Sequence, residues 1–257
     1  MVDRPIGLLA LGTAALLAMS VLGSSALGQT VRAGNLIVTV QGGFTPHKLP
    51  RDTLAPITLS AKSTIKTADG THLPPAKTLA LEFDKHASLN TRGLPTCSVN
   101  RLRNTLTSQA EKICGNALVG TGRAGAEIAF PEQPPFFASG KMLIFNGRPQ
   151  KGHRVFIFHV YAHVPAPTTF VTTAVIGKAS RGFGTSALLK IPTIVAGQGS
   201  LDFAELSIHR TWTYRGKTQN LLLASCPTGH LVTRGELSFA GGTTMSGQVV
   251  RSCSPIG

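Results

Sequence analysis

Apolar and polar residues alternate along most of this chain. Residues 35–41, 57–65, 79–83, 170–176 and 186–191 are runs rich in β-branched and aromatic side chains, bounded by Gly, Pro or Asn. That pattern predicts strands. Residues 117–130, 142–145, 155–164, 201–214, 220–225, 230–240 and 245–251 continue the series. Asn146-Gly147 signals a hairpin between 142–145 and 155–164, its loop running on to Gly152, and Gly241-Gly242 turns the last pair. One stretch differs. Between Cys97 and Cys114, Val99, Leu102, Leu106, Ala110 and Ile113 recur at steps of three and four, which predicts one face of a short helix. Ser98 is placed to cap its start and Gly115 its end.

About a dozen strands at regular spacing, with one helix inserted, argue an all-β, antiparallel two-sheet sandwich. No unit repeats and no linker divides the chain, so residues 29–257 are read as a single domain. Residues 1–28 read as a signal peptide. Arg4 precedes an apolar run from Ile6 to Leu22, and Ala26 and Gly28 supply the small-x-small pattern before Gln29. The alternative is an uncleaved anchor, since 6–27 is long enough to span a bilayer. No later stretch is apolar enough to cross one.

Export makes disulfides the default for the four cysteines. Of three pairings, Cys97–Cys114 and Cys226–Cys253 each close a local unit, the helix and the C-terminal hairpin. Chain entropy puts their contributions at about 3 and 3.5 kcal/mol. No two cysteines are two to four residues apart, which argues against a zinc site.

The formal charge of +14 changes the picture of partners. Outside a cell it favours anionic envelope polymers, acidic lipid head groups or acidic glycans over nucleic acid. Basic residues are scattered singly, and aromatic residues are too sparse for base-stacking platforms.

Gly93-Leu-Pro-Thr-Cys97, Cys114-Gly115 with Val119-Gly-Thr-Gly-Arg-Ala124, and Phe239 with Gly242-Thr-Thr244 before Cys253 resemble marks of uncharacterised secreted bacterial proteins. The resemblance implies an exported two-disulfide β-protein and brings no catalytic residue with it.

Four groups carry candidate chemistry. Gly120-Thr-Gly122-Arg-Ala-Gly125 matches a dinucleotide fingerprint, but Pro131 stops the helix that such a site needs, so a strand bent by glycine is the reading and no cofactor is expected. His153, His159 and His163 cluster in one segment. On a strand His159 and His163 stand about 13 Å apart, too far to share a metal ion. Glu82, Asp84 and His86 alternate with Leu81, Phe83 and Lys85, and one strand face could hold acid and base groups. In the long strand 201–214, Ala204, Leu206, Ile208, Trp212 and Tyr214 share a face that Arg210 interrupts. An Arg beside Trp212 suggests a glycan or carboxylate site, or an Arg stacked on the ring at the sheet's end.

There is no G-x-S-x-G elbow, H-E-x-x-H or phosphate loop. The expectation is an exported, basic, non-enzymatic binding or structural module of the cell envelope. A secreted hydrolase or metal-dependent enzyme is the alternative.

Overall fold

The structure, a computed structural model, describes residues 28–179 and 182–257. The expected leader lies outside the described residues except for Gly28. In chain order, β1 (Gln29–Ala33) and β2 (Leu36–Thr45) form a hairpin, and β3 (Lys48–Pro50) and β4 (Ala55–Pro56) lie in the link to β5 (Thr58–Thr67). β6 (Ala76–Asp84) and β7 (Ala87–Leu89) precede helices α1 (Val99–Leu102) and α2 (Thr107–Cys114). Then come β8 (Leu118–Ile128), β9 (Phe136–Gln150), β10 (His153–Ala162), β11 (Thr168–Lys178), β12 (Phe183–Lys190) and β13 (Gly199–Ile208). The chain ends with β14 (Thr211–Tyr214), β15 (Lys217–Asn220), β16 (Leu222–Ala224), β17 (His230–Phe239), β18 (Thr244–Ser252) and β19 (Ser254–Ile256).

Twelve strands build one antiparallel sheet in the order β1-β2-β5-β13-β8-β9-β10-β11-β12-β6-β17-β18. The expected sandwich is therefore corrected: one continuous sheet replaces two. A twisted sheet of this width curls on itself, and here its edges come together. A Cβ on Gly247 of β18 would lie 3.0 Å from Cγ2 of Val31 on β1. Arg251 of β18 donates from Nε to the carbonyl oxygen of Gly42 on β2. The wall is a nearly closed barrel.

Strand alternation fills it. Leu36, Val38 and Ile65 of β2 and β5 meet Leu237, Phe239 and Met245 of β17 and β18 across the interior. Met142, Ile144, Phe156, Ala174, Ile176 and Ile208 form the other half of the core. The glycines of 120–125 sit within β8, as the strand reading requires. A Cβ on Gly122 would collide with the carbonyl oxygen of Glu205, so glycine is what lets β13 approach there.

The two ends of the barrel differ. One end carries the short connections 34–35, 68–75, 129–135, 163–167, 191–198 and 240–243. The other is plugged by the long segments 85–117 and 209–229. Leu89, Leu94, Trp212, Leu221 and Leu222 pack up against Met142, Ile144 and Phe156. Trp212 Nε1 donates to the carbonyl oxygen of Arg92 at 3.0 Å. Beside this plug, Phe44, Leu49, Ala224 and Leu231 surround the Cys226–Cys253 bridge. Cys97–Cys114 is also formed. Both bridges are the expected ones. Helices α1 and α2 cover the outside of the wall, where Leu102 and Ala110 pack on Leu143, Phe145, Val155 and Ile157.

Three local expectations are corrected. The helix between the cysteines is broken, because Asn104 takes a left-handed conformation (φ 57°) and Thr105 Oγ1 donates to the carbonyl oxygen of Leu102 at 2.7 Å. Leu106 and Ile113 are consequently exposed, Ser98 makes no side-chain cap, and Gly115 is right-handed. Asn146-Gly147 is not the turn. Both residues continue β9, with Asn146 Nδ2 donating to the carbonyl oxygens of Leu94 and Pro95, and Lys151-Gly152 turns the chain at positive φ. The strand 201–214 is two strands. His209 donates its amide to Val119 and the carbonyl oxygen of Arg210 accepts from Leu221, which swings β14 across the base to pair with β15.

Candidate functional site: an apolar cavity in the barrel mouth

At the open end the interior is not filled. Alternation brings small residues inward on three neighbouring strands: Ala126 opposite Ala138, Ala124 opposite Gly140, and Ala204 opposite Ala124. Phe158, Val160, Phe170 and Leu189 stand around them from β10, β11 and β12. Together they enclose a cavity of about 140 Å³, capped by Val164 and Pro165 from one connection and Pro192, Ile194 and Val195 from another. Aromatic and branched walls facing alanine and glycine leave the space.

Its chemistry is almost wholly apolar. Among the described residues no charged side chain lines it, and the hydroxyls are Ser139, Thr168 and Thr172. Thr172 Oγ1 donates to the carbonyl oxygen of Lys190 at 2.5 Å and Thr168 Oγ1 to that of Ala166 at 2.9 Å. Ser139 Oγ accepts from Arg123 Nη2 at 3.4 Å. Each hydroxyl therefore has a protein partner. Such a surface offers favourable burial to a hydrocarbon and no reward to a charged ligand. An apolar cavity of about 150 Å³ takes up benzene, which sets the scale: one ring, or a short alkyl chain.

Near the mouth, on the outer side of the wall, Glu127 is buried and stands 3.4 Å from His72 Nδ1. Burial pushes the carboxyl of Asp202 up from its ordinary value, and the charge of Glu127 adds to the effect.

The residues singled out from sequence lie elsewhere. Glu82, Asp84 and His86 do share the outer face at β6 and the turn after it, each with a partner. Glu82 pairs with Arg234, whose guanidinium lies 4.9 Å above the Phe183 ring. Asp84 holds His86 Nδ1 at 2.9 Å and accepts the Val232 amide at 3.0 Å. No hydroxyl meets His86 Nε2 among the described residues.

His159 is fully buried beneath the helices, its Nε2 donating to the Thr105 carbonyl oxygen at 3.0 Å. His163 is exposed beyond the end of β10, its ring 4.8 Å from Tyr161, and His153 is exposed at the strand's start. Among the described residues no group of three His, Cys, Asp or Glu side chains is placed to hold a metal ion. Arg210 Nε is buried without a hydrogen-bond partner, and Trp212 belongs to the basal plug. The guanidinium groups over aromatic rings, among the described residues, are those of Arg215 and Arg234.

None of these groups touches the cavity. Its signal in the sequence was the run of small residues at alternate positions, Gly122, Ala124, Ala126 and then Ala138, Gly140. No helix among the described residues is long and apolar enough to cross a membrane. Set against protein-family models, curated proteins and solved structures, the chain matches none.

Proposed function

We propose that this chain is an exported, non-enzymatic binding protein that takes up an apolar small molecule, or the apolar end of a larger one, in the mouth of its barrel. The cavity bounded by Ala124, Ala126, Ala138, Gly140 and Ala204 carries the reading. Thr168 and Thr172 already donate to protein carbonyl oxygens, so burial of hydrocarbon is the main interaction the cavity offers. Two disulfides fit an oxidising compartment.

Titration calorimetry with a homologous series of straight-chain alcohols tests this. Affinity should rise by about 0.8 kcal/mol per methylene for the shorter members. It should level once the chain outgrows the cavity. Ala124→Phe, or the smaller filling Ala204→Leu, should abolish binding and leave the fold intact. If no alcohol binds, or if both filled variants bind like the parent, the reading is wrong.

The hydrolase reading keeps one observation in its favour, the Asp84–His86 contact, which resembles a carboxylate orienting a catalytic imidazole.

A further inference from the structure

The connections at the two ends of the barrel differ in charge, the lysines nearest the mouth, Lys66, Lys77 and Lys190, standing in the strands instead. The open-end connections contain no lysine or arginine, and their carboxylates are Asp69 and Glu132. The plugged end is cationic. Lys151 sits in the β9–β10 turn, Lys178 at the end of β11, and Lys85 in the β6–β7 turn, all exposed. These turns follow one another around the rim. Lys151 is one to two strands from Lys178, and Lys178 two strands from Lys85, which spaces their backbone positions by roughly 7–10 Å.

The arc continues onto the plug. Arg154 reaches from β10 to the carbonyl oxygen of Leu89 at 2.5 Å, tying the rim to β7. Arg92 is tied through its carbonyl oxygen to Trp212 Nε1, and Gly93 lies against the ring of Tyr214. Arg215, at the tip of the β14–β15 hairpin, stands 5.3 Å over that same ring.

None of these cations is ion-paired among the described residues. The lysine and arginine ion pairs there are Lys141–Glu111 and Arg234–Glu82. The nearby carboxylate of Asp84 is committed to His86 and the Val232 amide. Like charges held close without neutralisation repel one another, so a polyanion laid across them relieves that repulsion as well as attracting each charge.

We propose that this closed, cationic end is a docking face for an acidic polysaccharide, which holds the protein with its mouth directed away from the polymer. An arc of like charges suits a linear chain of carboxylates. The half-buried ring of Tyr214, set among the cations, offers an apolar face to a sugar ring. A bilayer fits less well. The exposed large apolar residues nearest this end are divided between separate elements, Leu54 and Ile256 next to β3 and β19 and Leu106 and Ile113 on the helical segment outside the wall, so they form no single patch to insert into lipid.

The test is binding of the mature protein to polygalacturonate across a sodium chloride series. Binding should weaken steeply as salt rises. The triple variant Lys85→Glu/Lys151→Glu/Arg215→Glu should lose at least about tenfold in affinity at low salt. A control with the same change of net charge near the mouth, Lys66→Glu/Lys77→Glu/Lys190→Glu, should keep most of it. All six positions are exposed, and thermal melts of both variants should match the parent. Equal loss in the two triples would mean that net charge alone binds the polymer, and would overturn the assignment. So would failure of the parent to bind, or binding to anionic phosphatidylglycerol vesicles in preference to the polysaccharide. Alcohol binding in the cavity is scored separately, so either proposal can fail alone.

Discussion

The carboxylate of Asp84 spans two elements: one oxygen holds His86 Nδ1 at 2.9 Å and the other takes the amide of Val232, in β17, at 3.0 Å. The His86 ring, the His86 amide, which also donates to the first oxygen at 2.9 Å, and the Val232 amide all lose their acceptor if the carboxylate goes. Asp84→Ala should therefore cost stability, about 1–3 kcal/mol, because it leaves a half-buried amide and an imidazole unpartnered. Urea unfolding checks this. A variant with unchanged stability that also lost a hydrolytic activity would revive the enzyme reading.

His159 should make the fold sensitive to acid. Its Nε2–H is used on the Thr105 carbonyl oxygen, while Nδ1 is buried without a partner. Burial holds its pKa below the ordinary value of 6.5. The folded state thus keeps the ring neutral at a pH where the unfolded chain takes up the proton. The penalty is absent above pH 6.5 and grows as pH falls toward the folded pKa, at most about 1.4 kcal/mol per pH unit. His159→Gln, which keeps a donor, should flatten the fall in stability below pH 6.5. Equal slopes in parent and variant would refute the assignment.

Asp202 should act in the opposite sense. Its carboxyl is held above the ordinary 3.8 by burial, with Glu127 adding to the shift. A raised pKa means that stability is intact below 3.8 and lost as pH rises through the folded value. Asp202→Asn should then stabilise the protein at pH 7, by about 0.5 kcal/mol once solvent screening is allowed for. The Phe203 amide, 2.9 Å from Oδ1, keeps an acceptor. The gain should vanish near pH 3.5. A gain that persists there would point to some other cause.

Reduction should lower stability through both bridges, by about 3 kcal/mol for Cys97–Cys114 and 3.5 kcal/mol for Cys226–Cys253 on the chain-entropy account. The two losses should differ in reach. The first bridge pins helices to the outside of the wall, and the second sits in the packing beside the plug. Loss of Cys226–Cys253 alone should raise hydrogen exchange in β3, β16 and β19. Loss of Cys97–Cys114 alone should raise it around α1 and α2. Identical exchange patterns would count against this division.

Much of the fold was legible in local chemistry. The hairpin of β17 and β18 follows from alternation ending at Gly241-Gly242, whose φ values of 82° and 87° only glycine adopts freely. Both disulfides were legible because each closes a unit visible in the sequence. Closure into a barrel was not. The same inward alternation serves a sandwich, and the difference lies in pairings between distant strands, such as β5 with β13 and β12 with β6. The helix break was hidden too, since Asn104 is a modest helix residue whose left-handed turn is fixed by partners elsewhere in the chain: the Thr105 carbonyl oxygen receives Thr169 and His159.

The candidate site was less legible than the fold. Titratable residues drew attention to Glu82, Asp84, His86 and Arg210, but a cavity that binds hydrocarbon is announced by what its side chains lack. Ala124 and Gly140 carry no chemistry of their own, and only their placement opposite one another makes room.

The meeting of β1 and β18 has a consequence for how the molecule is made. The first and last strands of the wall are also nearly the first and last segments of the described chain, so no partial length of it can close the barrel. A polypeptide delivered from its N-terminus presents an open, apolar-faced sheet until residues 244–252 arrive. Pairings so distant along the chain are slow to form. The period before the final strand docks is therefore when the molecule is most exposed to self-association.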